Sequence, residues 1–234
     1  MAFSFGDVDL SGMLACSSTA RKVAPAHRLT KTEVPGMDGC YVSDEGLSAM
    51  EISVGVIMLA KTADEVSEVR RRLASALQGG VKRLVLPDEP ERFVWAQYTG
   101  GDSWDAAVSN PSANLSFLCA DPLSYGQERT ASVGTSATVI RPGGTYKALP
   151  LVTAKPAKGS YWTLTNETTG EFVRVDADFT GSQTVVLDMA AERCTINGAD
   201  WPVTLASTFF ALDGDCSVKC SSGTATIEWR ERWL

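Results

Sequence analysis

The sequence predicts a mainly β protein in two parts: a β-sandwich with one helix in the N-terminal half, and an antiparallel β-sandwich in the C-terminal half. Three observations predict it. Residues 64–78 are the one stretch where apolar side chains recur at sustained helical spacing. From about residue 137 onward, short β-branched and aromatic runs alternate with turn residues. Between the halves, Asp121-Pro122-Leu123-Ser124-Tyr125-Gly126 turns the chain, and residues 127–136 form a polar run with almost nothing to bury. The expected units are therefore residues 1–130 and 131–234, each of ordinary domain size.

The elements follow in order. Residues 3–12 alternate apolar and polar side chains, as a half-buried or edge strand would. Asp7, Asp9, Ser11 and Gly12 have the look of a calcium loop, but Ser18 stands where the bidentate acid would be needed. Residues 28–34 and 39–43 are extended pieces joined by Pro35-Gly36-Met37-Asp38-Gly39, whose Pro-Gly and Asp-Gly pairs favour turns. They predict a hairpin arm with polar flanks. Residues 47–59 make the strongest strand, with Met50, Ile52, Val54, Val56 and Met58 on one side, and belong in the centre of a sheet. Thr62-Ala63-Asp64-Glu65 then supplies a capping box. Val66, Val69, Leu73 and Leu77 form one stripe of a helix that Gly79-Gly80 ends. Strands at residues 82–86, 92–98 and 115–119 complete the half.

In the second half, strands are predicted at residues 137–141, 149–154, 161–165, 171–175, 183–187, 193–196, 216–219 and 225–230. Asn197-Gly198 is the favoured pair for a two-residue hairpin loop, because both positions want positive φ. Residues 176–178, Asp-Ala-Asp before Phe179-Thr180-Gly181, are read as a turn. Strands of this length at these intervals imply an antiparallel sandwich.

Composition narrows the function. The chain has 234 residues, of which 44% are hydrophobic, enough for a core without disulfide staples. With 21 basic against 28 acidic residues the net charge is −7, which argues against sequence-specific nucleic-acid binding. No apolar run reaches the roughly 18 residues of a membrane span, and the start lacks the cationic and apolar regions of a secretion signal. No membrane insertion is expected, and the expected site of synthesis is a cytoplasm. The six cysteines are scattered; only Cys216 and Cys220 are close, with no second pair or histidine to complete a zinc site, so free thiols are expected and no metal or other cofactor.

Candidate reaction centres are few. His27 is the only histidine, and no acid lies near it in sequence to orient it for nucleophilic catalysis. Asp176, Asp178 and Asp188 could in principle supply a glycosidase pair, although acids are routine in turns. Trp162 and Trp229 fall within strands and belong to the core. Trp201, between Asp200 and Pro202 just past the Asn-Gly turn, is the aromatic ring free to contact a sugar.

The order of pieces is itself informative. The turn Val34-Pro35-Gly36-Met37-Asp38-Gly39 is followed by a strand and the helix. Then come Leu84-Val85-Leu86-Pro87-Asp88-Glu89-Pro90, an aromatic strand, and Phe117-Leu118-Cys119-Ala120-Asp121-Pro122 with Tyr125-Gly126. In the second half stand Leu164-Thr165-Asn166, Leu187-Asp188, Leu212-Asp213-Gly214 and the closing Ile227-Glu228-Trp229-Arg230-Glu231-Arg232-Trp233-Leu234. This succession resembles the distal tail protein (Dit) family of siphophages over nearly the whole chain.

The resemblance implies a ring-forming N-terminal belt domain and a galectin-like C-terminal sandwich, in a compact form without an inserted carbohydrate-binding module. It implies a structural virion protein, not an enzyme. Such a protein forms a homo-hexamer at the tail tip, joining the tail tube protein to the tail hub and receptor-binding apparatus, and is assembled in the host cytoplasm. A closed ring needs strand edges and apolar contacts that repeat around an axis. The arm of residues 30–43 offers them, with Lys31, Val34, Tyr41 and Val42 as the candidate interface side chains. The alternative is a carbohydrate-binding module in host adhesion, and Trp201 is its candidate sugar contact.

Overall fold

The computed structural model describes residues 3–104 and 110–234. The described residues form antiparallel strands and a single α-helix, so the chain is mainly β, as the sequence predicts. They divide into two compact units, one reaching from the N-terminus to Tyr125 and including Leu234, the other running from Gly126 to Trp233.

The first unit opens with β1 (Ser4–Phe5) and β2 (Val8–Asp9), in which Ser4 faces Asp9 and Phe5 faces Val8. The single strand expected over residues 3–12 is therefore folded back on itself. The reason is local: Gly6 adopts φ 62°, a left-handed conformation that reverses the chain. Phe3, Phe5 and Leu10 still reach the core from the two limbs. Next comes β3 (Leu14–Ala20), which the sequence pattern does not reveal because its serines and cysteine break the alternation. After β4 (His27–Thr32) and β5 (Tyr41–Leu47) come β6 (Met50–Met58), α1 (Ala63–Leu77), β7 (Lys82–Val85), β8 (Phe93–Gly101) and β9 (Ser112–Cys119).

These strands, other than β4 and β5, pair antiparallel in the order β3–β6–β9–β8–β7–β1–β2. As expected, β6 is internal, and Met50, Ile52, Val54, Val56 and Met58 are all buried. Helix α1 begins on the predicted capping box: Glu65 N–H donates to Thr62 Oγ1 at 3.3 Å, and Lys61 and Thr62 N–H both donate to Glu65 Oε2. It buries Val66, Leu73, Ala76 and Leu77 in a core that also holds Phe5 and Phe117, whose rings lie 5.3 Å apart. The helix stops where Gln78 turns extended and Gly79 takes φ 109°.

The polar run after the boundary turn is not a linker. It forms most of β10 (Ser124–Val133). Periodicity cannot find such a strand, because Gln127, Glu128, Arg129 and Thr130 are all exposed. Backbone pairing and charge hold it instead: Arg129 bonds Glu231 at 2.9 Å, Arg230 pairs with Glu128, and Gln127 N–H donates to Glu231. The remaining strands are β11 (Thr138–Ile140), β12 (Leu151–Lys155), β13 (Gly159–Asn166), β14 (Phe172–Phe179), β15 (Val185–Asp188), β16 (Arg193–Ile196), β17 (Ala199–Asp200), β18 (Cys216–Cys220) and β19 (Thr224–Trp233).

In the second unit the path β17–β16–β15–β12–β19–β10 makes one sheet and β11–β18–β13–β14 the other. Their facing side chains build one core around Trp162, Leu164, Val175, Val152, Leu187 and Ile227. That is a two-sheet antiparallel sandwich. Trp162 and Trp229 are buried, as their strand positions predict, and each indole N–H is satisfied by a carbonyl, of Ser222 at 3.0 Å and Pro142 at 2.8 Å. Asn197 and Gly198 both have positive φ, 51° and 84°, and turn β16 into β17. The turn expected at residues 176–178 is not there: Asp176, Ala177 and Asp178 continue β14, since their acids point to solvent on the sheet's polar face while Val175 and Phe179 face the core.

Candidate assembly surfaces

Strands β4 and β5 form a two-stranded sheet of their own. Every residue of β4 and all but Leu47 of β5 is exposed or at the surface, so neither is held by a core. Polar contacts hold it instead: Arg28 donates to Glu45 O at 2.7 Å, Thr30 to Glu45 Oε1 at 2.6 Å, and His27 Nδ1 lies 2.7 Å from Asp44 Oδ2. The sequence reading gave His27 no acid partner. Asp44 stands 17 residues away, and the hairpin register brings the two together. The pair is exposed and ties β4 to β5 across the hairpin. The Gly46 N–H, and after it the His27 ring, hold the Asp44 carboxyl below the usual carboxylate range.

The four candidate interface residues occupy definite places on this arm. Lys31 sits directly opposite Val42, which puts both on one face together with Leu29, while Tyr41 pairs with Thr32 on the other face. Val34 lies in the connecting turn, where its carbonyl accepts from Met37 N–H at 3.1 Å. Tyr41 is 65% exposed and Val42 55%, large values for side chains of this size. The arm thus shows apolar groups on both faces and at its tip.

The free edge of β14 is a different kind of surface. Its outward carbonyls are all taken: Phe172 O by Thr208 N–H (2.8 Å), Arg174 O by Thr204 N–H (3.0 Å), Asp176 O by the Trp201 indole N–H (3.0 Å) and Asp178 O by the Gln183 amide (3.0 Å). The segment 201–208 closes that edge against further strand pairing. Trp201 remains 41% exposed and lines a groove of about 600 Å³ with Ser160, Ala177, Asp178, Phe179, Gln183, Ile196, Asn197 and Ala199.

The remaining candidates are engaged structurally. Asp176 accepts from Arg174 at 2.8 Å, and Asp188 accepts from the N–H groups of Ala190 and Ala191, closing the turn after β15. Cys216 and Cys220 are both buried on the core side of β18. Burial pushes the Cys119 thiol up to about 12, with Asp121 adding to the effect, and the Cys194 thiol up to about 11. Among the described residues, no three His, Cys, Asp or Glu side chains gather as metal ligands would. No helix among them is long and apolar enough to cross a membrane.

The described residues thus present two antiparallel β units, an exposed arm with apolar side chains on both faces, and a β14 edge closed by the chain itself. The chain belongs to the siphophage distal tail protein family, whose members are structural components of the phage tail. Residues 143–233 match the family described as "Siphovirus-type tail component, C-terminal domain", and residues 15–119 match "Phage tail protein RIFT-related domain". The distal tail protein of Bacillus phage SPP1 is 27% identical over 179 residues, covering 73% of this chain and 70% of that protein. The crystal structure of SPP1 Dit, described as a paradigm of the hub adsorption apparatus in phages infecting Gram-positive bacteria, aligns with a TM-score of 0.84 at 22% identity. It covers 100% of this chain and 99% of that one, a likeness of fold.

Proposed function

We propose that six copies of this chain close into a ring at the distal end of a siphophage tail, where the ring joins the tail tube to the hub and receptor-binding proteins of the tip. The protein then acts as a non-enzymatic part of the virion, assembled in the host cytoplasm. The observation that carries this reading is the arm formed by β4 and β5. Its strands have open backbone edges, and Leu29, Val34, Tyr41 and Val42 are exposed on it. A monomer gains nothing from displaying these groups.

Because apolar side chains lie on both faces, an arm clasped between two surfaces buries more than one laid on a flat neighbour. Repetition of that clasp around an axis closes a ring without leaving unpaired edges. The acidic balance of the chain, 28 acidic against 21 basic residues, suits a passage for DNA.

The test is substitution on each face of the arm. Tyr41→Asp and Val42→Asp each put a charge where the clasp requires a dry contact, and loss of a central contact of this kind typically costs about 2 kcal/mol or more per interface. Mass photometry of the purified protein should show rings for the parent chain and single chains for the double variant, with thermal unfolding of the isolated chain unchanged. Rings that persist in the double variant contradict the role given to the arm.

A further inference from the structure

The groove beside Trp201 is lined by residues of the second unit, none of which belongs to the arm. We propose that it binds one chain of a neutral hexopyranose oligosaccharide, with Trp201 as the stacking platform and Asp178, Asn197 and Ser160 as hydrogen-bonding partners.

The platform is held in place before any ligand arrives. The Trp201 indole N–H is engaged by Asp176 O at 3.0 Å, and its backbone N–H by Cys194 O at 3.0 Å, so the ring cannot swing away and offers an apolar surface rather than a donor. An aromatic side chain that is fixed and 41% exposed loses little conformational entropy when a flat ligand stacks on it. The C–H face of a pyranose ring is such a ligand: apolar on its face, with hydroxyls around its rim.

The rim groups suit those hydroxyls. The Asp178 carboxylate lines the groove and makes no side-chain hydrogen bond among the described residues. The Asn197 side chain is anchored through its Oδ1, which accepts from Thr184 N–H at 2.9 Å, leaving the amide N–H groups to donate. Its position is set by the tight turn between β16 and β17. Gln183 is fixed as well, accepting from Thr180 N–H at 2.8 Å and donating to Asp178 O at 3.0 Å. Ser160 adds a hydroxyl. An unengaged carboxylate acceptor and a pinned amide donor can bracket a pair of neighbouring hydroxyls.

Charge selects among sugars. The groove residues include a carboxylate and no cation, and two arginines of the adjoining strands are paired with acids of their own, Arg174 with Asp176 and Arg193 with Asp200. Phosphorylated or uronic-acid polymers would meet an uncompensated like charge, whereas neutral hydroxyls donate to it. The groove, about 600 Å³, falls within the volumes typical of small-ligand sites.

The experiment titrates the full chain with maltohexaose, cellohexaose and N-acetylchitohexaose, reading heat by calorimetry and the shift of the melting midpoint. At least one of these sugars is expected to bind with one site per chain and to raise the midpoint. Asp178→Asn, which removes charge without breaking any internal bond, and Trp201→Phe, which keeps a ring but alters the platform, are expected to weaken binding by at least about tenfold, or about 1.4 kcal/mol. Each variant's unliganded midpoint reports its folding. No heat with any of the three sugars at millimolar concentration overturns the proposal, as does binding that neither variant alters. Ring mass, measured on the same samples, reports on assembly separately.

Discussion

Single residues show most clearly where sequence reasoning stops. That Trp162 and Trp229 belong to the core was legible from their place in alternating strands, because burial follows strand register. That Trp201 would be locked was not, since its partner is a backbone carbonyl 25 positions earlier, and a carbonyl has no signature in a sequence. The pairing of His27 with Asp44 was hidden for the same reason: only the hairpin register brings it about. Cysteines give a prediction at this scale. Burial raises the Cys119 and Cys194 thiols to about 12 and about 11, while Cys40 is exposed. A maleimide at neutral pH should modify Cys40 quickly and leave Cys119 and Cys194 untouched until the chain unfolds; mass mapping of the labelled sites checks this. Because the folded thiols hold their protons more tightly than unfolded ones, their contribution to stability is complete below pH 9. It is lost as the pH climbs toward 11 and 12, at up to about 1.4 kcal/mol per pH unit for each thiol. Denaturant midpoints measured across that alkaline range should fall, and less steeply for Cys119→Ala.

At the scale of elements, strong local signals survived folding and weak ones did not. Helix α1 was legible because its capping box, its apolar stripe and its glycine stop agree with one another. Thr62→Ala removes the acceptor for the Glu65 N–H and is expected to cost about 1 kcal/mol in a urea melt, with the slope unchanged. The strand β10 was illegible because ion pairs with β19, a hundred residues later, replace an apolar face. Asp176 and Asp178 gave a turn signal by composition, yet β14 runs through them, since Val175 and Phe179 set a two-residue period that outweighs the acids. Two strand edges contrast: that of β14 is closed by the segment 201–208 together with Gln183, whereas the outer edges of the β4 and β5 arm carry no further strand among the described residues, which supports the arm as the proposed pairing surface.

For the whole molecule, the mainly β class and the family were legible from the order of turns and strands across the chain. The arm was legible as a stretch, residues 30–43, but its faces were not: only the register shows Lys31 and Val42 on one side and Tyr41 on the other. The central claim is that the chain is a building unit whose arm finds copies of itself. The most direct measurement is the mass and symmetry of the purified protein at micromolar concentration, by native mass spectrometry with negative-stain class averages. The account predicts particles of six 25.0 kDa chains with sixfold averages and an open centre. A single-chain mass at every concentration, both alone and with the tail tube and hub proteins present, would contradict it.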